Sequence, residues 1–170
     1  MKHLYAPWRE NYVVDKSESL TTQLYESCIF CAQLEEHADK KNFIIKRFKY
    51  NAVFLNIYPY NAGHLLVVPY QHSDNLTALE QSARAEMMEI ITRSINILNE
   101  QLHSQGSNVG FNIGGKAAGG SIPEHIHAHV LPRWLGDTNF LPVLAHTKPI
   151  TTDLPAMYEE LLPFFNALRL

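Results

Sequence analysis

Three histidines alternate with apolar residues in the segment His125-Ile126-His127-Ala128-His129. In an extended strand, successive side chains point to opposite faces, so this pattern predicts that the three imidazoles share one face. Imidazole changes its charge near neutral pH and serves both as a nucleophile and as a metal ligand. The row therefore predicts either chemistry on an anionic substrate or a metal site. Because the chain has nine histidines in 170 residues, a histidine-rich edge strand is the open alternative.

Two cysteines with the spacing Cys28-x-x-Cys31 form a second group that could do chemistry. In a reducing compartment this spacing indicates either a zinc site or a redox motif. A redox motif requires a thioredoxin-like βαβ context, which the sequence does not show. A zinc site requires two further ligands. Two thiols that bind no metal remain the alternative.

The composition favours one globular domain. The chain has 170 residues, of which 46% are hydrophobic, and a formal net charge of −3. These values suit a domain with a substantial core and disfavour a binder of duplex nucleic acid, whereas a small anionic substrate stays compatible. We find no signal peptide, and the uncharged stretch 50–73 contains too many asparagines and prolines for a membrane span. A cytoplasmic location without a membrane partner is therefore expected.

Hydrophobic periodicity predicts the elements that position the two groups. The first helix is predicted to surround the cysteine pair, and the last strand carries the histidine row. The predicted helix spans Leu20–His37, and the five predicted strands span Phe43–Phe48, Ala52–Ile57, His64–Pro69, Val109–Ile113 and Glu124–Leu131. A glycine-rich loop, residues 114–121, leads directly into the last of these strands.

A long helix is predicted between the third and fourth strands. The pattern Thr77-x-x-Glu80 indicates a capping box at its start, and apolar residues at helical spacing continue to about Leu102. A last helix is predicted to begin near Asp153, and Pro163 is expected to kink or split it. Strands in this order, with one long helix between them, predict an antiparallel α+β domain.

The segment His125–Arg133 resembles the signature of the histidine-triad (HIT) superfamily. Further resemblance comes from Asn56, from Gly63–Pro69, and from Asn112 with the glycine-rich loop, so that it covers roughly residues 25–135. The resemblance implies a HIT-like fold with about five antiparallel strands, one long helix and shorter flanking helices. We expect a single HIT domain, residues 1–170, with a core at about 25–140 and extensions at 1–24 and 141–170.

The resemblance also implies a nucleotidyl-transferring enzyme that cleaves dinucleoside polyphosphates such as diadenosine tetraphosphate. His127 would attack the α-phosphorus and form a phosphoramidate, His129 would contact phosphate oxygens, and His64 would support them. His125 completes the catalytic row. The residues implied in nucleotide binding are Asn56 at the ribose, Asn112, Gly120 and Ser121 at the α-phosphate, and Trp134 at the base or the pocket rim. Core or dimer packing is the alternative for Trp134.

Some HIT proteins hold a structural zinc ion, and the resemblance implies that this chain does so as well. The matching ligands are Cys28, Cys31, His72 and His125. A zinc ion held by these four residues would join the first helix to the strand that carries the histidine row. By the same resemblance we expect a homodimer.

The loop before the triad, Ser121-Ile122-Pro123-Glu124-His125, is longer than in many HIT proteins. Together with Pro132–Phe140 and Ala6–Arg9, it resembles the bacterial branch that includes diadenosine tetraphosphate phosphorylases, which favours a phosphorylase over a hydrolase. A zinc- and nucleotide-binding module with little turnover is the alternative. A catalytic metal centre on the triad is disfavoured, because the neighbouring carboxylate, Glu124, is expected on the face opposite to His125.

Overall fold

The computed structural model of the chain describes residues 28–138 and 153–170, and an antiparallel sheet lies at its centre. The strands are β1 (Ile44–Arg47), β2 (Asn51–Leu55), β3 (Leu65–Pro69), β4 (Gly106–Phe111) and β5 (Ala128–Arg133). Across the sheet they follow the order β1-β2-β3-β5-β4, and every neighbouring pair is antiparallel. The predicted α+β class with five antiparallel strands is confirmed.

Three helices accompany the sheet, and their bounds are α1 (Ile29–Glu36), α2 (Gln81–Gln101) and α3 (Leu154–Ala167). The α1 helix ends at His37, whose backbone is left-handed with φ 54°. The prediction began this helix at Leu20, and residues 20–27 lie outside the described residues. Within residues 28–138 and 153–170, no helix is long and apolar enough to cross a lipid bilayer.

The start of α2 differs from the prediction. Its buried stripe has the predicted helical spacing, with Ala83, Met87, Ile90, Ile91, Ser94, Ile97 and Leu98 facing the core. The capping box at Thr77 and Glu80, however, is wrong. Thr77 lies in a separate 3₁₀ turn, whose N-cap Asn75 accepts a hydrogen bond from the Thr77 N–H. Since the Asn75 side chain starts this turn instead, α2 begins only after Glu80 and has no side-chain cap.

The last helix, α3, continues through Pro163. Its start is as predicted, because the Asp153 carboxylate accepts a hydrogen bond from the Ala156 N–H at 3.1 Å. The expected split at Pro163 is wrong. Tyr158 on one side of the proline and Phe165 on the other are both buried in the core, and packing of this kind holds a helix together where one backbone hydrogen bond is lost.

The sheet has a core on each face. On the first, which we call the α2 face, α2 and α3 cover the inward residues of the central strands, including Val67 and Val130. On the second, the α1 face, α1 contributes Phe30 to a smaller core that includes Leu66. Leu66 pairs directly with His129, and cross-strand partners share a face. His129 therefore points to the α1 face, beside the smaller core.

The strand that carries the histidine row begins later than predicted. The prediction started β5 at Glu124, whereas the ladder starts at Ala128. The N–H of Ile126 donates to the carbonyl of Ser73 at 2.6 Å, so the residues before Ala128 are tied to the segment after β3 instead of the sheet. The β4 strand also begins earlier than predicted, because Gly106 already pairs with Arg133.

The turn between β2 and β3 rests on the end of the long helix. Gly63 has φ +72°, a conformation that favours glycine. A Cβ atom on Gly63 would lie only 2.5 Å from Cδ1 of Leu102 and 3.3 Å from Cδ2 of Leu98. The close approach and the positive φ explain why a glycine precedes His64.

Candidate active site

Hydrogen bonds from the β2–β3 turn fix the ring of His64, which is fully buried. Its Nδ1 accepts a hydrogen bond from the Tyr60 N–H at 3.2 Å and lies 3.0 Å from Nδ2 of Asn56. The Tyr58 N–H donates to Oδ1 of Asn56, which turns the Asn56 amide nitrogen toward His64. Because a backbone N–H can only donate, Nδ1 of His64 is an acceptor. A neutral His64 ring therefore carries its proton on Nε2.

This proton sets the tautomer of His129. Nε2 of His64 lies 2.9 Å from Nδ1 of His129, so His64 donates and His129 accepts. A neutral His129 ring then carries its own proton on Nε2. The Tyr60 ring stacks on His129, with centroids 5.9 Å apart and planes 21° from parallel. Asn56, His64 and His129 thus form one chain of hydrogen bonds that ends in an N–H donor.

His127 has the complementary tautomer. Its Nδ1 donates to the backbone carbonyl of His125 at 2.8 Å, which leaves the lone pair on Nε2. The side chain is buried, and the edge of Phe30 packs against it at 5.1 Å between ring centroids. Burial lowers the pKa of His127, and the hydrogen bond to His125 opposes this effect only in part. The ring is therefore neutral at pH 7, with its lone pair on Nε2. The centroid of the His127 ring lies 4.8 Å from that of the His129 ring.

His125 belongs to a different group of side chains. Its Nε2 donates to the carbonyl of Pro69 at 2.9 Å, so that Nδ1 keeps its lone pair. This Nδ1 lies 3.2 Å from Sγ of Cys28. Burial lowers the pKa of His125, so the ring is neutral at pH 7. His125 therefore faces the cysteines, whereas His127 and His129 face each other.

The two cysteines, His125 and His72 form a compact set of ligands. Sγ of Cys31 lies 3.4 Å from Nδ1 of His72 and 3.6 Å from Nδ1 of His125, and all four ligand atoms lie within 4.8 Å of one another. In a tetrahedral zinc site with Zn–S near 2.3 Å and Zn–N near 2.0 Å, ligand atoms lie about 3.3–3.8 Å apart. The residues predicted from the sequence therefore converge closely enough to fit a metal site. His127 and His129 lie outside this set.

In the absence of a metal ion, the Cys31 thiol keeps its proton at neutral pH. Burial and the neighbouring Cys28 raise the pKa of the Cys31 thiol to about 11. Both cysteines are free of disulfide bonds. A metal ion that binds here must displace the thiol protons, as zinc does in sites with thiolate ligands. The Pro69 carbonyl accepts the hydrogen bond from Nε2 of His125, and backbone carbonyls orient metal-binding histidines in the same way.

The glycine-rich loop lies beside the end of β4. Gly120 has φ +89°, and a Cβ atom there would lie 3.1 Å from Nδ2 of Asn112. Asn112 and Gly120 are therefore neighbours, and both are exposed, as is Ser121. A 3₁₀ turn, Gly115–Ala118, forms the part of the loop between them. The loop thus offers exposed backbone and an amide side chain on the β4 side of the histidines.

Trp134, which was predicted at the base or the pocket rim, contacts the end of the long helix. The indole N–H of Trp134 donates to the carbonyl of Leu102 at 3.0 Å, which satisfies a backbone acceptor at the end of α2. Its ring is half-buried. Asn56 likewise already contacts His64 and Tyr58, although a carboxamide retains further donor and acceptor capacity.

Comparison with known proteins identifies the family. The profile of the HIT domain family matches residues 37–134, which is more than half of the chain. The chain belongs to the HIT domain family. The HIT profile covers the β1–β5 sheet and both His127 and His129, whereas Cys28 and Cys31 lie before its start.

Relatives of this HIT protein include enzymes. It is 34% identical over 157 residues to the AP-4-A phosphorylase of Mycobacterium tuberculosis, a match that covers 88% of this chain and 77% of the relative. It is 29% identical over 94 residues to the asymmetrical bis(5'-nucleosyl)-tetraphosphatase of Schizosaccharomyces pombe, covering 55% and 50% of the two chains. A crystal structure of a zinc-bound histidine triad family protein from Mycobacterium smegmatis superposes with a TM-score of 0.67 at 30% identity, covering 82% of this chain and 94% of that one.

A second set of hydrogen bonds, which the sequence did not predict, holds the β2–β3 turn of this HIT domain. Nδ2 of Asn61, a buried residue, donates to the carbonyl of Pro132 at 2.8 Å and to Asp137 at 3.2 Å. The Asp137 carboxylate also accepts from the guanidinium of Arg133. These bonds join the turn before His64 to the segment after β5. The segment was part of the resemblance, but nothing in its spacing indicated the contact with Asn61.

Proposed function

We propose that the protein is a nucleotidyl-transferring enzyme that cleaves dinucleoside polyphosphates through an adduct on His127. The observation that carries the proposal is the pair of opposite tautomers. His127 presents a lone pair on Nε2, and the neighbouring His129 presents a proton on Nε2. The names of the relatives, AP-4-A phosphorylase and bis(5'-nucleosyl)-tetraphosphatase, support this substrate class.

The proposed reaction has two steps. In the first, Nε2 of His127 forms a bond to the α-phosphorus, and the bond from that phosphorus to the bridging oxygen breaks with its electron pair on the oxygen. The Nε2–H of His129 donates a hydrogen bond to the leaving oxygen, which departs as a phosphate anion. In the second step, water or inorganic phosphate attacks the phosphorus, and the electron pair of the P–N bond returns to His127. An attacking water loses its proton to the solvent. Two easier displacements thus replace one difficult displacement.

The buried environment suits this role for His127. A neutral ring is needed for attack, and burial favours the neutral form by lowering the pKa of His127. The bond to the His125 carbonyl holds the ring in one tautomer, as an orienting partner does for other catalytic histidines. We propose that Asn112, Gly120 and Ser121 bind the α-phosphate, that Asn56 binds the ribose, and that Trp134 borders the nucleotide site.

We also propose that Cys28, Cys31, His72 and His125 bind a zinc ion with a structural role. The convergence of the four ligand atoms and the orientation of His125 by Pro69 support it. Bound zinc would supply a cross-link between chain segments and no chemistry on the substrate, because His127 and His129 lie outside the ligand set. The residues themselves join α1 to the segments after β3 and before β5.

The acceptor of the nucleotidyl group separates two versions of the enzyme. Resemblance to the phosphorylase branch favours phosphate as the acceptor, so we expect diadenosine tetraphosphate and labelled phosphate to give ATP and labelled ADP. The assay follows the products by chromatography, with and without phosphate. If AMP and ATP form at the same rate in both samples, water is the acceptor and the phosphorylase version is wrong.

A binding module without turnover is the second candidate, because a metal site and a nucleotide site can exist without efficient catalysis. Rapid acid-free quenching of the protein with diadenosine tetraphosphate, followed by intact mass measurement, separates the two candidates. An adduct of one adenylyl group that forms and decays during turnover excludes the module. Tight binding of the substrate with no adduct and no product supports the module instead.

We further propose a homodimer. The β4 strand lies at an edge of the sheet, and its outer side pairs with no strand among the described residues. Val109, within β4, and Ile113, two residues after the strand ends, are 43% and 46% exposed. An exposed apolar edge strand favours pairing with a second chain. Light scattering is expected to give about twice the monomer mass of 19.4 kDa, and a monomer mass would contradict the proposal.

A further inference from the structure

An open groove lies beside His129 on the α1 face of the sheet. Its volume is about 320 Å³, which falls within the range of about 300–1,000 Å³ typical of small-ligand sites. The described residues that line it are Tyr60, Asn108, Val109, Gly110, Phe111, Asn112, His129 and Leu131. The groove is thus formed by β4, β5 and the Tyr60 ring, and none of the residues assigned to the metal site contributes to it.

The strand register explains why there is space at this position. Gly110 pairs with His129 and Asn108 pairs with Leu131, so these four residues share one face of the β4–β5 pair. Within residues 28–138 and 153–170, no atom beyond Gly110 and its two chain neighbours lies within 4 Å of the position that a Cβ atom of Gly110 would occupy. The floor of the groove therefore depends on the absence of a side chain at Gly110, directly across from His129, whose Nε2–H is a hydrogen-bond donor.

The order of the strands shows which part of a substrate the groove can accept. Asn56 and His64 lie at the ends of β2 and β3, on one side of His129, and β4 lies on the other side. A nucleotide whose ribose is near Asn56 and whose phosphorus faces His127 has its leaving group beside His129. The leaving group therefore continues toward β4, into the groove.

The chemistry of the lining favours a nucleoside over a phosphate chain. Among the described residues that line the groove there is no lysine and no arginine. The Tyr60 ring, 42% exposed, offers a stacking surface, and the amide side chain of Asn108 offers hydrogen-bonding groups for a base or ribose. Arg133, on the same strand, already donates to both Asp137 and Asn108.

We propose that this groove is the subsite for the nucleoside of the leaving nucleotide, and that it selects dinucleoside over mononucleoside polyphosphates. The inference rests on the proposed function, because it assigns the second half of the same substrate. It predicts that diadenosine tetraphosphate is cleaved more efficiently than adenosine tetraphosphate, which has the same number of phosphates but no distal nucleoside.

The test fills the groove from its floor with Gly110→Leu. The matched control is Gly106→Leu, which makes the same change on the same face of β4 but outside the groove, 4.0 Å from Cβ of Arg133. We expect the wild-type protein to prefer diadenosine tetraphosphate over adenosine tetraphosphate in kcat/KM by at least about tenfold, as a subsite contact provides. Gly110→Leu should remove most of this preference, and Gly106→Leu should retain it.

A second variant and two readouts make the result decisive. Tyr60→Ala removes the stacking wall but keeps the backbone N–H that holds His64, and it should lower the preference in the same direction. Adenosine tetraphosphate is also measured as an inhibitor, so the comparison does not depend on its turnover. Thermal unfolding verifies that each variant folds.

A wild-type protein that cleaves neither substrate would refute the proposed function. Cleavage with no preference, or with a preference unchanged in folded Gly110→Leu, would overturn the subsite alone.

Discussion

Replacing His127 with alanine is expected to lower kcat/KM for diadenosine tetraphosphate by at least about a thousandfold, since losses of this size follow removal of a nucleophile. The alanine variant lacks the Nε2 lone pair that attacks phosphorus. It keeps the backbone carbonyl of His125 and the bonds from His64 to His129. Substrate binding should therefore change much less than turnover, which equilibrium binding of a nonhydrolysable analogue can measure separately.

The control for this loss is His103→Asn. His103 is an exposed histidine with φ 51°, and asparagine tolerates that left-handed conformation. This variant should retain wild-type activity, and the adenylyl adduct should be absent from His127→Ala only. If folded His127→Ala retained more than about a tenth of the activity, another group would be the nucleophile and the proposed mechanism would be wrong.

The second large effect is expected from Cys28→Ser combined with Cys31→Ser. Losing both thiolates should abolish stoichiometric zinc binding, measured by elemental analysis of the purified protein. A metal that binds only the folded state stabilises it by about 3–4 kcal/mol at a hundred to a thousand times its dissociation constant. The double variant should lose a stabilisation of this order, measured by denaturant unfolding in the presence of zinc.

The same experiment contains its own control, because a chelator should destabilise the wild-type protein to the level of the double variant and leave the variant unchanged. Adding zinc back should restore only the wild-type protein. Wild-type protein purified under reducing conditions with no zinc, or with zinc that has no effect on unfolding, would contradict a structural metal site.

Much of the site could be predicted from the sequence, because its residues occur in short motifs. Cys28 and Cys31 lie on one turn of chain, and His127 and His129 alternate as residues of a strand do. The α2 stripe was predictable for the same reason, since helical spacing is a local property. The assignment of His72 required the family resemblance, because no local pattern marks it.

The missed features depend on contacts between distant parts of the chain. Alternation predicted a strand from Glu124, but the hydrogen bond between Ile126 and Ser73 ties this segment to the chain after β3. That His125 lies beside the cysteines was expected only from the family resemblance. Asn61 meets Asp137 across 76 positions, and no periodicity reports such a pair. The ring of Tyr60 stacks on His129, and its backbone N–H donates to His64; neither contact follows from its residue type.

His125 makes two separate contacts. Its imidazole lies beside the Cys28 thiol, and its backbone carbonyl accepts a hydrogen bond from His127. Any amino acid at position 125 has this backbone carbonyl, whereas the contact with the thiols requires a side chain that can bind a metal. Evolution can therefore discard the metal ligands in a descendant lineage and still keep the tautomer of the nucleophile, provided that the peptide at this position keeps its orientation. The hydrogen bond between Ile126 and Ser73, made by backbone atoms alone, is what would hold that orientation through such a change.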